Sequence, residues 1–255
     1  MIDKRELLET ARQRGLNLQI VEKDYVLGWL LYGLKDFDEL VFKGGTALSK
    51  IYFPQVWRLS EDLDFAFTGN DFKSISGEVD TALSYISKES GIRFRVKSKF
   101  SNPQYLQLKI GYDAAIGQNW IKVDATKEDV LDKMTNKSLI KTYSDYPDFT
   151  VKVESLEEIF SEKIRSLLER TKCRDYFDVW KLCSIDFKRG KVKELFEKKC
   201  EIKGIEFRSF EEIFAENTEH ILKPYWEQEL GRLLNPLPDL QIVLRELMEK
   251  LDFLE

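Results

Sequence analysis

The chain has 255 residues, of which 43% are hydrophobic and 33% charged, so it can build one large core or two smaller ones. Its formal net charge of −5 excludes a protein that coats nucleic acid through bulk positive charge, although a local basic groove stays open. The single histidine excludes a multi-histidine metal site. No apolar run reaches the ~20 residues that a membrane-spanning helix needs. Three cysteines without metal-ligand spacing, and no recognisable secretory leader, predict reduced thiols in a cytoplasmic protein.

The predicted elements of the first part alternate between helices and strands. Leu40–Phe42 is a short apolar run that predicts a strand ending in a Gly-Gly turn. A short helix should then run to Tyr52, with Thr46 at or near its N-cap. The remaining periodicities predict helices over 3–14, 18–34 and 71–91, and strands over 63–67, 105–112, 119–126 and 151–153.

From Ser155 onward the sequence changes character, and helical patterns run to the last residues. Ser155 is expected to begin a helix with acidic residues in its first turn, where the helix dipole favours them. We therefore predict an α+β protein with a mixed sheet and flanking helices over 1–153. A helical domain should follow over 154–255, with a cleft between the two.

Residues 41–67 hold the first candidate for binding chemistry. Gly44 and Gly45 allow the backbone to turn sharply and to approach a ligand closely. The helix that follows at Thr46 offers free backbone N–H groups, which suit a phosphate. Lys50, one turn into this helix, is placed to reach the same phosphates. The sequence therefore predicts a phosphate-binding turn, and the alternative is an ordinary Gly-Gly turn.

Asp62 and Asp64 are spaced two residues apart, which places both side chains on one face of a strand. Adjacent carboxylates repel each other unless a cation lies between them, and oxygen ligands facing phosphates suit Mg²⁺ or Mn²⁺. The alternative is a pair of solvent-facing acids at a strand edge. Each motif alone is weak evidence, but their order of strand, Gly-Gly-Thr, helix and Asp-x-Asp strand favours a functional site.

Three sequence segments carry a resemblance to a known family: Lys43–Lys50 (KGGTALSK), Arg58–Asp64 (RLSEDLD) and Glu22–Tyr25 (EKDY). They resemble motifs of the AbiEii/AbiGii toxin family of the nucleotidyltransferase superfamily, over roughly residues 20–185. The resemblance implies a nucleotidyltransferase-like N-terminal domain. It also implies a metal-bound catalytic acid pair at Asp62 and Asp64.

The superfamily normally carries a third carboxylate on a later strand, beside the acid pair. Asp124, on the predicted strand over 119–126, is the best candidate for this catalytic and metal-binding position. Asp113, at the end of the predicted hairpin, is a competitor. A capping or turn role for Asp124 also stays open.

A second cluster lies within residues 157–180. If one helix spans this segment, Lys163, Arg170 and Arg174 lie close to one line on its surface, suited to a triphosphate or an RNA backbone. The alternative is a solvated face whose cations pair with neighbouring glutamates. The family resemblance matches Lys163, Arg174-Asp175 and Asp178. It implies that Lys163 contacts nucleotide phosphates and that Asp175 positions the nucleotide or activates the acceptor.

Together the resemblance implies transfer of a nucleoside monophosphate from a nucleoside triphosphate to an acceptor hydroxyl. It further implies the toxin of a toxin–antitoxin pair that acts on tRNA, with an antitoxin protein as partner and no membrane role. Two rival enzymes modify a small molecule such as an aminoglycoside, or a protein hydroxyl. A third rival is a non-catalytic nucleotide-binding module.

Overall fold

The structure is a computed structural model that describes residues 1–54, 56–215 and 217–255. The chain divides into two compact units, Met1–Glu154 and Ser155–Glu255, each with its own buried core. The sequence placed the boundary between residues 153 and 154. Among the described residues, no helix is long and apolar enough to cross a bilayer.

The N-terminal unit is a mixed sheet with helices. Its helices are α1 (Lys4–Arg14), α2 (Leu18–Leu34), α3 (Gly44–Ala47, continued by a π-helical turn over Leu48–Tyr52) and α4 (Lys73–Ser90). Its strands are β1 (Leu40–Lys43), β2 (Asp62–Phe67), β3 (Arg93–Asn102), β4 (Tyr105–Asp113), β5 (Gln118–Lys127), β6 (Thr135–Ser138) and β7 (Thr150–Val153). Over the ranges that the structure describes, these strands form one sheet in the order β3-β4-β5-β2-β1-β7-β6. The predicted α+β fold is confirmed.

The centre of the sheet mixes strand directions. Strand β2 is antiparallel to β1 and parallel to β5, and β5 forms an antiparallel pair with β4, as the predicted hairpin requires. Burial alternates along β2 and β5, so that Leu63 and Val123 lie in the core whereas Asp62, Asp64 and Asp124 are half-buried on the other face. One face of the sheet therefore forms the core and the other presents polar groups.

Two details of the turn after β1 differ from the sequence prediction. The helix begins at Gly44 rather than near Thr46, and Lys43 occupies the N-cap position without a side-chain hydrogen bond. The predicted N-cap at Thr46 is therefore wrong. The reason is that Gly44 adopts a φ of 74°, which lets the chain turn into the helix directly after the strand.

The C-terminal unit is helical. Its helices are α5 (Leu156–Glu169), α6 (Cys173–Leu182), α7 (Arg189–Lys203), α8 (Thr218–Leu230) and α9 (Leu240–Lys250), with 3₁₀ turns at Phe210–Phe214 and Asp252–Leu254. Ser155 caps α5 as predicted, because its hydroxyl accepts a hydrogen bond of 3.1 Å from the Glu158 N–H. Phe160, Phe196 and Leu247 are fully buried in the core.

The helix postulated over residues 157–180 is interrupted. Helix α5 ends at Glu169, and Arg170 is extended, with φ −159° and ψ 145°. Helix α6 begins only at Cys173. Because no single helix joins them, the expectation that Lys163, Arg170 and Arg174 form one line along a helix is wrong.

Candidate active site

Three aspartates meet on the accessible face of the sheet, on two parallel strands. Asp64 of β2 stands directly opposite Asp124 of β5, and Asp62 lies two residues before Asp64. Directly opposite residues share a face of the sheet, so the structure brings these three carboxylates to one place. Asp113 lies at the far end of the β4–β5 hairpin, where it pairs with Arg93. The register therefore favours Asp124 over Asp113 as the third acid.

Lys122 is a cation among these acids that the sequence reasoning missed. It stands opposite Asp62, and its Nζ lies 2.8 Å from Asp124 Oδ2. Burial alone would lower the pKa of Lys122, but the hydrogen bond and charge of Asp124, with further contributions from Asp62 and Asp64, raise it. The lysine thus stays charged and offsets part of the repulsion between the carboxylates. Its position two residues before Asp124 on a strand was the available signal.

The other oxygen of Asp124 is held by polar side chains of β4. The Tyr105 hydroxyl donates to Asp124 Oδ1 at 2.5 Å, and the Gln107 side-chain amide donates to the same oxygen at 3.1 Å. Burial, followed by the hydrogen bond to Asp124, raises the pKa of Tyr105 to about 12, which keeps the phenol a proton donor near neutral pH. Both oxygens of Asp124 are therefore fixed in direction.

The Gly-Gly turn packs directly on the acid pair. A Cβ placed on Gly44 would lie 2.9 Å from Asp64 Oδ2, closer than real Cβ atoms approach other groups. Gly45 and Thr46 are buried in the turn, and the Thr46 hydroxyl lies 2.7 Å from Ser60 Oγ and donates to the carbonyl oxygen of Asp62. Thr46 thereby ties the turn to the start of β2. The contacts of Gly44, Gly45 and Thr46 with a nucleotide stay predictions.

Lys50 does not point at the acids. Its ammonium is 2.7 Å from both the carboxylate and the carbonyl oxygen of Asp24, and the residue is 1% exposed. The Tyr143 hydroxyl donates to the same Asp24 carboxylate at 3.0 Å. In this position the ammonium is inaccessible to a phosphate, so the predicted phosphate contact would require the buried pair to open. Two of the segments noted above, EKDY and KGGTALSK, are instead joined through this pair.

The C-terminal unit contains a second charged cluster. Lys163 Nζ lies 2.9 Å from Asp175 Oδ1 and 2.9 Å from Asp178 Oδ2, and Arg170 Nε donates to Asp175 Oδ2 at 2.8 Å. Burial alone would raise the pKa of Asp175, but the charges of Lys163 and Arg170 outweigh it and lower the pKa to about 2. Arg174 is half-buried in the first turn of α6. The predicted Lys163 and Asp175 thus form one ion pair.

The sheet, the in-register aspartates and the glycine turn packed against them are the features of a nucleotidyltransferase. The sequence matches the family model described as nucleotidyl transferase AbiEii toxin, type IV toxin–antitoxin system, over residues 29–252. The chain belongs to this family, and the resemblance noted in the sequence is confirmed. It is therefore a nucleotidyltransferase and a toxin of a type IV toxin–antitoxin system.

Solved structures show the same fold. The nucleotidyltransferase toxin MenT4 of Mycobacterium tuberculosis superposes with a TM-score of 0.77 at 20% identity, covering 100% of this chain and 90% of that one. The JHP933 protein of Helicobacter pylori gives a TM-score of 0.60 at 19% identity, covering 91% and 90%. No curated protein matches the sequence significantly. At these identities the likeness establishes the fold alone.

Proposed function

We propose that this toxin transfers a nucleoside monophosphate from a nucleoside triphosphate to a hydroxyl at the 3′ end of a tRNA, with a divalent metal ion bound at Asp62 and Asp64. One observation carries the proposal. Asp64 faces Asp124 in register on parallel strands, directly against a glycine turn that leaves no room for a Cβ. This arrangement places the acids beside the first backbone N–H groups of the helix that begins at Gly44, a combination that suits phosphoryl transfer.

The donor atoms fit Mg²⁺ or Mn²⁺. Carboxylate oxygens are the ligands that these hard cations prefer, and Asp62 and Asp64 are half-buried, so they remain reachable from solvent. When bound, the ion would neutralise charge on the transferring phosphate and lower the pKa of an attacking hydroxyl. Asp124 is proposed as the third acid. Its oxygens already contact Lys122 and Tyr105. Asp124 would therefore bind the metal ion only if one of these side chains moved away, or if the oxygen bound both groups at once.

The remaining residues have proposed roles in binding and orientation. The Gly44-Gly45 turn would accept the triphosphate, because a glycine backbone permits close approach there. Thr46 would hold the turn to β2, and Lys50 would support it through the buried pair with Asp24.

The C-terminal residues enter the proposal through the family resemblance. Lys163 would contact the nucleotide phosphates, with Asp175 and Asp178 directing its ammonium. Arg170 and Arg174 would add positive charge near it. The type IV family also supplies an antitoxin as partner. These roles are tested by substituting each residue singly and measuring transfer in the assay described next.

The test is a transfer assay with purified protein, Mg²⁺, each labelled nucleoside triphosphate and total tRNA. Label should appear on tRNA, disappear when EDTA removes the metal, and fall on the order of a thousandfold in Asp62→Asn. Thermal unfolding of the variant should match wild type, because a half-exposed ligand contributes little to the core.

Three results would contradict the proposal. In parallel assays that offer an aminoglycoside or a protein in place of tRNA, label on one of these acceptors and none on tRNA would replace the proposed acceptor. Binding of the nucleotide without any transfer would indicate a binding module. Full activity of Asp62→Asn would refute the assignment of the acid pair.

A further inference from the structure

A strip of basic and aromatic residues continues from the three acids across the accessible face of the sheet. Lys109 of β4 stands opposite Lys122, and Gly111 stands between Trp120 of β5 and Arg95 of β3. Residues directly opposite each other share a face, and alternate residues of a strand do so too. The side chains of Arg95, Lys109, Trp120 and Lys122 therefore lie on the same face as Asp124. The register of β3 shifts between Val96 and Ser98, but the Lys97 side chain also lies on this face, because it would meet a Cβ placed on Gly111. We call Arg95, Lys97, Lys109, Trp120 and Lys122 the basic strip.

The side chains of the basic strip are positively charged, whereas the whole chain has a net charge of −5. The chain has 45 acidic and 40 basic residues, yet the strip contributes four cations, of which Lys122 is paired with Asp124. Asp113, an acid on the same face, is engaged by Arg93. Arg95 and Lys97 are exposed, and the Lys97 side chain extends over Gly111, where no side chain obstructs it. Such a local concentration of accessible cations favours a polyanion as the occupant.

Trp120 gives the strip an aromatic surface. It is 37% exposed, and the ammonium of Lys109 lies 3.9 Å from its ring centroid. The ammonium of Lys23 lies 5.4 Å from the same centroid. An exposed ring with cations beside it suits an unpaired nucleotide, because the base can stack on the ring while a displaced lysine meets the phosphate.

We infer that the basic strip binds the single-stranded 3′ end of the acceptor RNA, with one base stacked on Trp120 and phosphates at Lys97, Lys109 and Arg95. The inference rests on the proposed function. Trp120 lies four residues before Asp124 on β5, or roughly 13 Å at 3.3 Å per residue. A short single strand can cover that span and place its terminal ribose at the acids. A duplex could not stack a base on Trp120, because its bases are already stacked and paired with each other.

The test compares two strip variants with a control on the same sheet. Trp120→Ala removes the ring, and Lys109→Gln removes one charge at similar length. The control is Lys99→Gln: Lys99 is an exposed lysine of β3, but it pairs with the buried Leu108 and so lies on the other face. For each protein, kcat and the KM for tRNA and for the nucleotide are measured at several salt concentrations.

We expect Trp120→Ala to raise the KM for tRNA about tenfold, the loss of one base stack, while the KM for the nucleotide stays unchanged. Lys109→Gln should reduce the salt dependence of tRNA binding by about one released ion. Lys99→Gln should behave like wild type. Trp120→Tyr, which keeps an aromatic ring, should restore most of the affinity and so separates stacking from a folding defect.

The outcomes distinguish the two proposals. If wild type labels no RNA, the proposed function fails. If wild type labels RNA and both strip variants retain its KM, the inference about the strip is overturned while the function stands.

Discussion

The two aspartate clusters of this chain differ in burial and in how their charges are compensated. In the C-terminal unit, Asp175 and Asp178 are 3% and 0% exposed and are held by Lys163 and Arg170. In the N-terminal unit, three aspartates on two strands surround Lys122 on an accessible face. A buried cluster must be balanced by its own cations, whereas an accessible cluster can recruit a cation from solution. The comparison therefore separates acids whose charge is already balanced by neighbouring side chains from acids that can take up a metal ion.

The largest effects should come from exchanging one aspartate of each cluster for asparagine. Asp64→Asn should reduce transfer on the order of a thousandfold and change the free energy of unfolding by less than about 0.5 kcal/mol. Asp178→Asn should lower the free energy of unfolding by about 3 kcal/mol, because the buried ammonium of Lys163 then loses the charge of a carboxylate 2.9 Å away. Urea unfolding and the transfer assay measure the two effects. A stable protein with reduced transfer in Asp178→Asn, together with an active but destabilised protein in Asp64→Asn, would contradict the comparison.

A smaller effect is expected on the free energy of unfolding at acid pH. Asp175 has a folded pKa of about 2, below its ordinary value of 3.8, so its contribution is present above pH ~4 and is lost as pH falls towards 2. The difference corresponds to about 2 kcal/mol of unfolding free energy. Asp175→Asn should flatten the pH profile of urea unfolding between pH 4 and 2, whereas Glu249→Gln, at an exposed position of α9, should leave it unchanged. A wild-type profile without this loss of stability at acid pH would contradict the assignment.

The smallest expected effect is on the affinity of the accessible aspartate cluster for a metal ion. Lys122 competes with any cation that approaches the acids, because its ammonium already lies at Asp124. Lys122→Met should therefore raise the affinity for Mn²⁺ about three- to tenfold, as expected when one like charge is removed near a surface. Calorimetric titration measures the affinity, with Lys99→Met as control. Weaker binding in Lys122→Met would instead mean that the lysine orients Asp124 for the ion.

Local sequence pattern was sufficient to predict most elements and the shared strand face of Asp62 and Asp64. The alternation around Asp62 and Asp64 determines their common face whichever strands pair with β2. The choice between Asp124 and Asp113 needed the register of β2 with β5, a pairing between residues about sixty positions apart. The family resemblance implied a third acid on a later strand, and the sequence analysis preferred Asp124 while Asp113 stayed open.

The errors have physical causes. Strand β3 was missed because it lies at the edge of the sheet, and its mostly exposed residues lack a strong apolar alternation. The partner of Lys50 could not be inferred from spacing, because Asp24 lies 26 residues earlier in another helix. The break between α5 and α6 falls at Arg170 without a proline or glycine to mark it.

The pairing of Asp64 with Asp124 has a consequence for control of the toxin. Their separation is set by the backbone ladder of two central strands rather than by a loop that opens and closes. A slip of one residue would turn the acids of β2 into the interior, so intermediate geometries are not accessible without breaking the sheet. We therefore expect inhibition of the folded protein to act on the access of its ligands or on side chains around the acids, rather than by shifting β2 against β5.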